Sequence, residues 1–360
     1  MNFNQLKYSL LFIFNFKLIF GLPVSFFGQN QVTFLHLGDS HLQPNNLSGM
    51  TRYLLQKEIG NAGRGLIFPY VLAKTNGPKD FFFTSDIIWK SAWITQHTDQ
   101  TIGLTGISIQ STTTKGNMSW STGKDTLRYP ASTGTLVFEI KDCQQCTVRV
   151  NSSQKQYTNQ DKLIDTMVFS IDQPTSKLSF DGATFTLLDL IELSDQKGLV
   201  YHSTGVAGAT FKNYNDNPQF KKSLALLDPD YVIVSLGTNE SVKKWDSVAF
   251  DMEVNKFIDQ VKSSSPSSKL IIVLPNENYL KVNGNYVYNS RLDSVRTVLL
   301  SIANKRNLLY YDQQEAMGGK GCMLEWKKQG LVNEDHIHFL KKGYQRQGRL
   351  LFEYLTKMIH

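Results

Sequence analysis

From about residue 198 to the C-terminus, strand-like and helix-like segments alternate. That alternation limits what this 360-residue chain can fold into more than any single motif does. "LVYHST", "DYVIVSLG", "KLIIVLP" and "LLYYD" are short apolar or β-branched runs. Between them lie "FKKSLALL", "FDMEVNKFIDQVKSS" and "SRLDSVRTVLLSIANKR", and "KKGYQRQGRLLFEYLTKMI" closes the chain, each with helical character. Strands that alternate with helices imply a mostly parallel sheet with helices on both faces. The same texture occurs once near the start. "VTFLHLG" reads as a strand, and "LSGMTRYLLQKEIG" as a helix with apolar Leu47, Met50, Leu54 and Leu55 and a stop at Gly60. From about 80 to 195 the chain changes to short strand-like runs separated by Gly, Asn, Asp and Ser clusters, which predicts a β-sandwich. The expected organisation is an α/β domain in two segments, 29–79 and 196–360, with a β-sandwich inserted at 80–195.

Residues 1–28 carry Lys7 ahead of apolar segments that end near Gly28, the pattern of a secretory signal peptide. Lys17 interrupts the run and argues against a full spanning helix, although an N-terminal anchor is the alternative. No later stretch is long and apolar enough to span a membrane, so no integral membrane segment is expected after signal removal. The net charge of +7 becomes +5 without those residues, which hold two lysines and no acid. The remaining lysines are scattered and do not interleave with aromatics, so nucleic acid is not an expected partner. Cys143 and Cys146 frame "CQQC" between two strand-like flanks. This fits a structural disulfide across a hairpin, or plain thiols, better than a redox or zinc site. Cys322 is left over.

In parallel α/β sheets, ligands bind beyond the carboxyl ends of the strands. Four loops at such ends stand out. The first is Gly38-Asp39-Ser40, the second "STGVAGAT" with Gly205 and Gly208, the third "LGTNES" with Gly237 and Asn239, and the last "NEDHIHFLKKGY" with Asp335, His336 and His338. A serine hydroxyl needs an adjacent base, and an imidazole base needs an acceptor to fix its tautomer. Backbone N–H groups at glycine turns and a side-chain amide can stabilise the developing oxyanion. Taken singly, each piece also has a structural explanation as a turn, a cap or a core residue.

In order and spacing, Gly38-Asp39-Ser40, Gly208, Gly237-Thr238-Asn239-Glu240 and Asp335-His336-Ile337-His338 together resemble the four blocks of the SGNH, or GDSL-type, hydrolase family. That resemblance implies a flavodoxin-like three-layer fold with no cofactor or metal. It implies Ser40 as nucleophile, His338 as general base and Asp335 as the residue that orients His338. The oxyanion hole would be the Ser40 and Gly208 backbone N–H groups with the Asn239 side chain. Two departures are Gly-Asp-Ser-His in place of Gly-Asp-Ser-Leu, and Glu240 where many members carry Asp. His41, "GRGLIFPY" and the β-rich insertion are similar to the bacterial peptidoglycan O-acetylesterase branch, whose insertion is carbohydrate-binding-module-like.

The expectation is thus an exported serine esterase, periplasmic or secreted, that removes acetyl groups from a polysaccharide such as peptidoglycan. A carbohydrate O-acetyltransferase, a lipase-like esterase and a non-catalytic carbohydrate-binding protein are the alternatives. His41 and Trp326 are candidates for the substrate pocket, and Trp120 for a sugar-stacking ring. Asp39 reads as a loop organiser rather than the triad acid, because adjacent residues at a strand end point apart. The Asn276-Glu277 loop lies on the active face with its role open.

Overall fold

The computed structural model describes residues 31–123, 129–242 and 246–359. The expected signal peptide lies outside them. Five strands form a parallel sheet: β1 (Gln31–Gly38), β2 (Gly198–Gly205), β3 (Tyr231–Ser235), β4 (Lys269–Leu274) and β5 (Leu309–Asp312), in the order β2-β1-β3-β4-β5. This is the flavodoxin-like doubly wound order, with its switch point at β1.

Alternate residues of these strands serve different cores. Phe34, Tyr201, Ile233 and Ile271 pack beneath helices α1 (Asn46–Ile59) and α4 (Lys341–Ile359), with Leu47, Leu55, Leu351 and Leu355. Leu35, Val232, Val234 and Ile272 face the opposite way, toward α2 (Ser247–Ser264) and α3 (Arg291–Lys305), with Val254, Phe257, Val295 and Leu299. Both faces are covered, so the strands carry continuous apolar runs rather than polar alternation. His36 interrupts β1, yet its two ring nitrogens lie 2.8 Å from the Tyr201 hydroxyl and 2.7 Å from Ser235 Oγ. Burial pushes this imidazole down to about 3, which leaves it neutral.

The β-rich region is a nine-stranded sheet of antiparallel pairs. Its first strand, Gly65–Ile67, pairs with 190–192 and lies upstream of the composition change near residue 80. Three residues are too few to show a strand period. The long strand Thr133–Val150 pairs with Thr184–Leu193 through its first half and with Ser176–Asp181 through its last four residues. The sheet turns over between these halves, and Phe138, Phe180 and Phe185 stack inside it at centroid distances of 5.0 and 5.3 Å. Asp142 takes φ 56° at the changeover, and Cys143 and Cys146 are joined by a disulfide just beyond it. The bridge therefore lies within one strand and not across a hairpin, as the flanking patterns had implied.

The core of this β unit is continuous with the α2–α3 face of the parallel sheet. Polar straps cross the same boundary. Asp189 accepts from the Leu104 and Thr105 backbone N–H groups and from Ser223 Oγ. Asp80 accepts from both Arg52 and Arg64, each at 2.7 Å. Burial alone would raise the Asp80 carboxyl, but the two guanidiniums outweigh it and hold it down at about 2.

Candidate active site

Strand register brings the candidate residues together. Gly38 is level with Gly205 on one side and with Ser235 on the other, so three loops leave the sheet side by side. The fit between the first two is close. A Cβ on Gly205 would sit 2.4 Å from the Asp39 carbonyl oxygen, so only glycine permits the approach. The last loop, 332–339, is closed by a bridge between Val332 and Phe339 and leads into α4.

Ser40 Oγ lies 2.8 Å from His338 Nε2, and His338 Nδ1 lies 2.6 Å from Asp335 Oδ2. Asp335 Oδ1 also accepts the backbone N–H groups of Ile337 and His338, both at 2.9 Å. Burial acts to raise this carboxyl. The backbone donors and His338 win, and keep it below the usual carboxylate range. An ionised Asp335 fixes the proton of the neutral imidazole on Nδ1 and leaves Nε2 able to accept from Ser40.

His336, two residues earlier, faces elsewhere. It takes φ 56° and stacks on Tyr286 with ring centroids 3.9 Å apart. Its carbonyl accepts from the Tyr279 N–H at 3.1 Å. Tyr279 and Tyr286 belong to a hairpin, Tyr279–Val282 and Asn285–Tyr288, that braces the turn holding Asp335 and His338. The sequence signal for this hairpin is Asn283-Gly284, whose φ values of 48° and 87° both fall in the left-handed region that a two-residue hairpin turn needs.

The candidate oxyanion donors divide into two kinds. No hydrogen bond within the described residues uses the backbone N–H of Ser40 or of Gly208. Gly208 has φ 79°, and a Cβ there would meet nothing within 4 Å, so space beside it is open. Asn239 Nδ2, by contrast, is bonded to Asp39 Oδ2 at 3.1 Å and to the Ala209 carbonyl at 3.0 Å. Donation from Asn239 to a substrate oxygen must share one of these two hydrogens.

Asp39 is buried and organises the turn. Its Oδ1 accepts from the His41 N–H, and its carbonyl accepts from the Leu42 and Gln43 N–H groups. Burial pushes its carboxyl up to about 7 against the lowering effect of the His41 N–H. Glu240, also pushed up to about 7 by burial, accepts the Phe211 N–H and so joins the third loop to the helix after the second. Gln43 is a residue that motif reading missed. Buried beneath the site, it accepts the Ala207 N–H at 2.7 Å and donates to Thr75 and Asn76. Its only sequence signal is a polar side chain three residues after Ser40, where the turn re-enters the core.

The two pocket candidates differ. His41 is half-buried, with Nδ1 3.0 Å from the Tyr344 hydroxyl and its ring 5.0 Å from that of His338. Burial and the neighbouring His338 depress it to about 3, so it adds no positive charge beside the base. Trp326 does not line the pocket. It is 2% exposed, packs edge-on against Phe339 and donates Nε1 to the Met317 carbonyl. An indole that fills the space behind the His338 loop has no face left for a ligand. Trp120 is likewise buried, bonded to Glu192 and stacked on Phe83. Glu277 is a structural anchor, accepting the Gly321 and Met323 N–H groups at the start of a short helix.

Residues 191–346 match the GDSL-like lipase/acylhydrolase family. That stretch runs from the strand before β2 into α4, and the fold of the α/β unit is that of a GDSL-type acylhydrolase. Together they support a serine esterase. The acylhydrolase fold and the β unit are both shared with a solved peptidoglycan O-acetylesterase, which overlays with a TM-score of 0.79 at 21% identity over 92% of each chain. A lipase/acylhydrolase from Enterococcus faecalis overlays with a TM-score of 0.35 at 17% identity, over 45% of this chain and 78% of that one. An acetyl xylan esterase overlays with a TM-score of 0.36 at 14% identity, over 44% and 81%. No curated protein matches the sequence. Among the described residues, no helix is long and apolar enough to cross a membrane, and no acid, histidine and cysteine cluster is built to hold a metal ion.

Proposed function

We propose that this protein is an exported esterase that removes O-acetyl groups from a cell-wall polysaccharide, most specifically peptidoglycan. The observation that carries the reading is the continuous relay Ser40–His338–Asp335 beside two unused backbone donors. Support for the substrate class comes from the likeness in fold, which extends through the β unit as well as the acylhydrolase domain.

In this reading Ser40 Oγ attacks the acetyl carbonyl while His338 Nε2 takes its proton. The Ser40 and Gly208 N–H groups, joined by Asn239, hold the oxyanion. Collapse of the tetrahedral intermediate expels the sugar oxygen, which leaves with the proton from His338. A water, deprotonated by the same imidazole, then attacks the acetyl-Ser40 ester and releases acetate. Asp335 stays ionised throughout and stabilises the imidazolium.

The test compares the mature protein with Ser40→Ala on 4-nitrophenyl acetate and octanoate, and on O-acetylated peptidoglycan with released acetate as the readout. Short-chain activity, acetate release and loss of both in the variant are expected. Preference for octanoate would replace the reading with a lipase-like one. Acetyl transfer to a sugar acceptor in place of acetate release would make the protein a transferase.

A further inference from the structure

Where the β unit meets the acylhydrolase domain there is a cleft of about 530 Å³, within the range typical of ligand sites. One wall is the β-unit loop 94–102. The other is the short helix Phe211–Asn215 and the turn after it, through Gln219. That helix is capped by Thr210, next to the Ala209 carbonyl that holds Asn239. The cleft wall is therefore continuous with the Gly208 loop.

The cleft is braced, and the brace comes from the other domain. Asn213 Nδ2 donates to the Ile94 carbonyl at 3.1 Å, and Asn217 Nδ2 donates to the Gly103 carbonyl at 2.9 Å. Two asparagines of the acylhydrolase domain thus pin both ends of the β-unit loop. Thr101 and Lys162 are tied to Glu139 on the far side. Above this bonded frame, the side chains of Gln96, His97, Asp99 and Gln219 line the opening and make no hydrogen bond within the described residues.

Charge and polarity narrow the ligand. Lys162 is paired with Glu139, and Asp216 with Lys212 and Lys256. No unpaired lysine or arginine lines the cleft, so it is not built for phosphate. No aromatic ring other than His97 lines it, and its surface is dominated by amides and hydroxyls. Asp99 adds one carboxylate without an ion-pair partner among the described residues, an acceptor for hydroxyl and N–H donors, so the surface suits a ligand dense in hydroxyl and acetamido groups.

We propose that this seam cleft is a second glycan subsite, which holds an unacetylated stretch of the same polysaccharide chain whose ester is at Ser40. The proposal rests on the polysaccharide reading above for the identity of that chain. It makes the junction between the domains, rather than either domain alone, the device that selects a polymer over a small ester.

The experiment uses Ser40→Ala protein and a soluble N-acetylglucosamine tetramer as the probe, with binding followed by calorimetry. The tetramer is compared between this protein and the same protein carrying Gln96→Ala and Gln219→Ala, or Gln219→Trp to fill the cleft. Loss of two hydrogen bonds is expected to weaken binding about tenfold. In the catalytically intact background, the cleft variants should raise KM on O-acetylated peptidoglycan and leave 4-nitrophenyl acetate hydrolysis unchanged. That unchanged hydrolysis also shows that the variants fold. Failure of the tetramer to bind, or equal binding and equal polymer KM in the variants, overturns the proposal. Tetramer binding lost in the cleft variants, in a protein whose parent hydrolyses 4-nitrophenyl acetate but frees no acetate from peptidoglycan, would keep the subsite and discard the peptidoglycan reading.

Discussion

The loops around Ser40 and the seam between the domains both rely on carboxylates, and they use them differently. At the seam, Asp80 and Asp189 have each oxygen bonded, Asp80 by two guanidiniums and Asp189 by two N–H groups and a hydroxyl. Nothing is left over, and the result is a fixed joint. Around Ser40, Asp39 and Asp335 spend their oxygens on backbone N–H groups and on one side-chain partner each, the Asn239 amide of the third loop for Asp39 and the His338 imidazole of its own loop for Asp335. That arrangement shapes the turns while the Ser40 and Gly208 donors stay free. A structural carboxylate satisfies every partner it has. A carboxylate in a working site positions groups whose own bonding is completed by substrate.

This contrast predicts separable losses. The largest effect is expected from Asp335→Asn. An amide oxygen can still accept the Ile337 and His338 N–H groups, but the opposite tautomer of His338 becomes favoured. We expect kcat for 4-nitrophenyl acetate to fall about 10³–10⁴-fold with little change in Tm. A melting temperature that collapses with activity would show Asp335 to be a joint residue like Asp80.

Asp80→Ala should do the reverse. It leaves the buried Arg52 and Arg64 without their shared partner, and stability is expected to fall by about 3–5 kcal/mol in urea unfolding. The folded fraction should hydrolyse 4-nitrophenyl acetate normally. The pH dependence has a definite sign. The Asp80 carboxyl sits at about 2, below its ordinary value, so its contribution is fully present above about pH 4. It is lost as pH falls toward 2. Acid unfolding between those limits should therefore become shallower in the variant, and an unchanged acid limb would remove the seam pair from the explanation.

Gln43→Ala tests the link between the first two loops. Without its carbonyl the Ala207 N–H loses its acceptor, and Gly208 is no longer held opposite Ser40. A drop in kcat on the order of tenfold is expected, less than removal of an oxyanion donor outright. Tyr286→Ala should have the smallest effect, a severalfold loss of kcat with KM little changed, as the His336 turn loses its stacking partner. Tyr286→Phe keeps the ring and should retain most activity. Equal losses in the two variants would place the effect in the Tyr286 hydroxyl instead of the stack.

Much of the domain was legible from periodicity. The parallel strands are apolar on both sides, and the helices carry their stripes at regular spacing, so local pattern and final burial agree. Three of the four site loops were legible because each ends such a strand, whereas the last, 332–339, follows the helix Cys322–Lys328 rather than β5 and showed itself only by its Asp335–His338 spacing. Other features were hidden for physical reasons. Gly65–Ile67 is too short to show a period, and the Asn283-Gly284 turn was masked by the polar residues around it. Trp326 looked available because hydropathy does not say which side of a loop an aromatic fills. Asn239 was readable as a donor, but its present bonds to Asp39 and Ala209 depend on loops that meet only in three dimensions.

The amino-acid sequence alone determined the order of strands and helices, the residue types at strand ends, and hence the class of chemistry the chain can host. Those properties are local, set by side-chain spacing and by turn residues. The tertiary structure decided which of those residues meet. Register placed Gly38 level with Gly205 and Ser235, a bridged loop carried His338 to Ser40 across 298 positions of sequence, and two asparagines locked the β unit to the acylhydrolase domain. Contacts of that kind depend on how whole faces pack against one another, which no local pattern encodes.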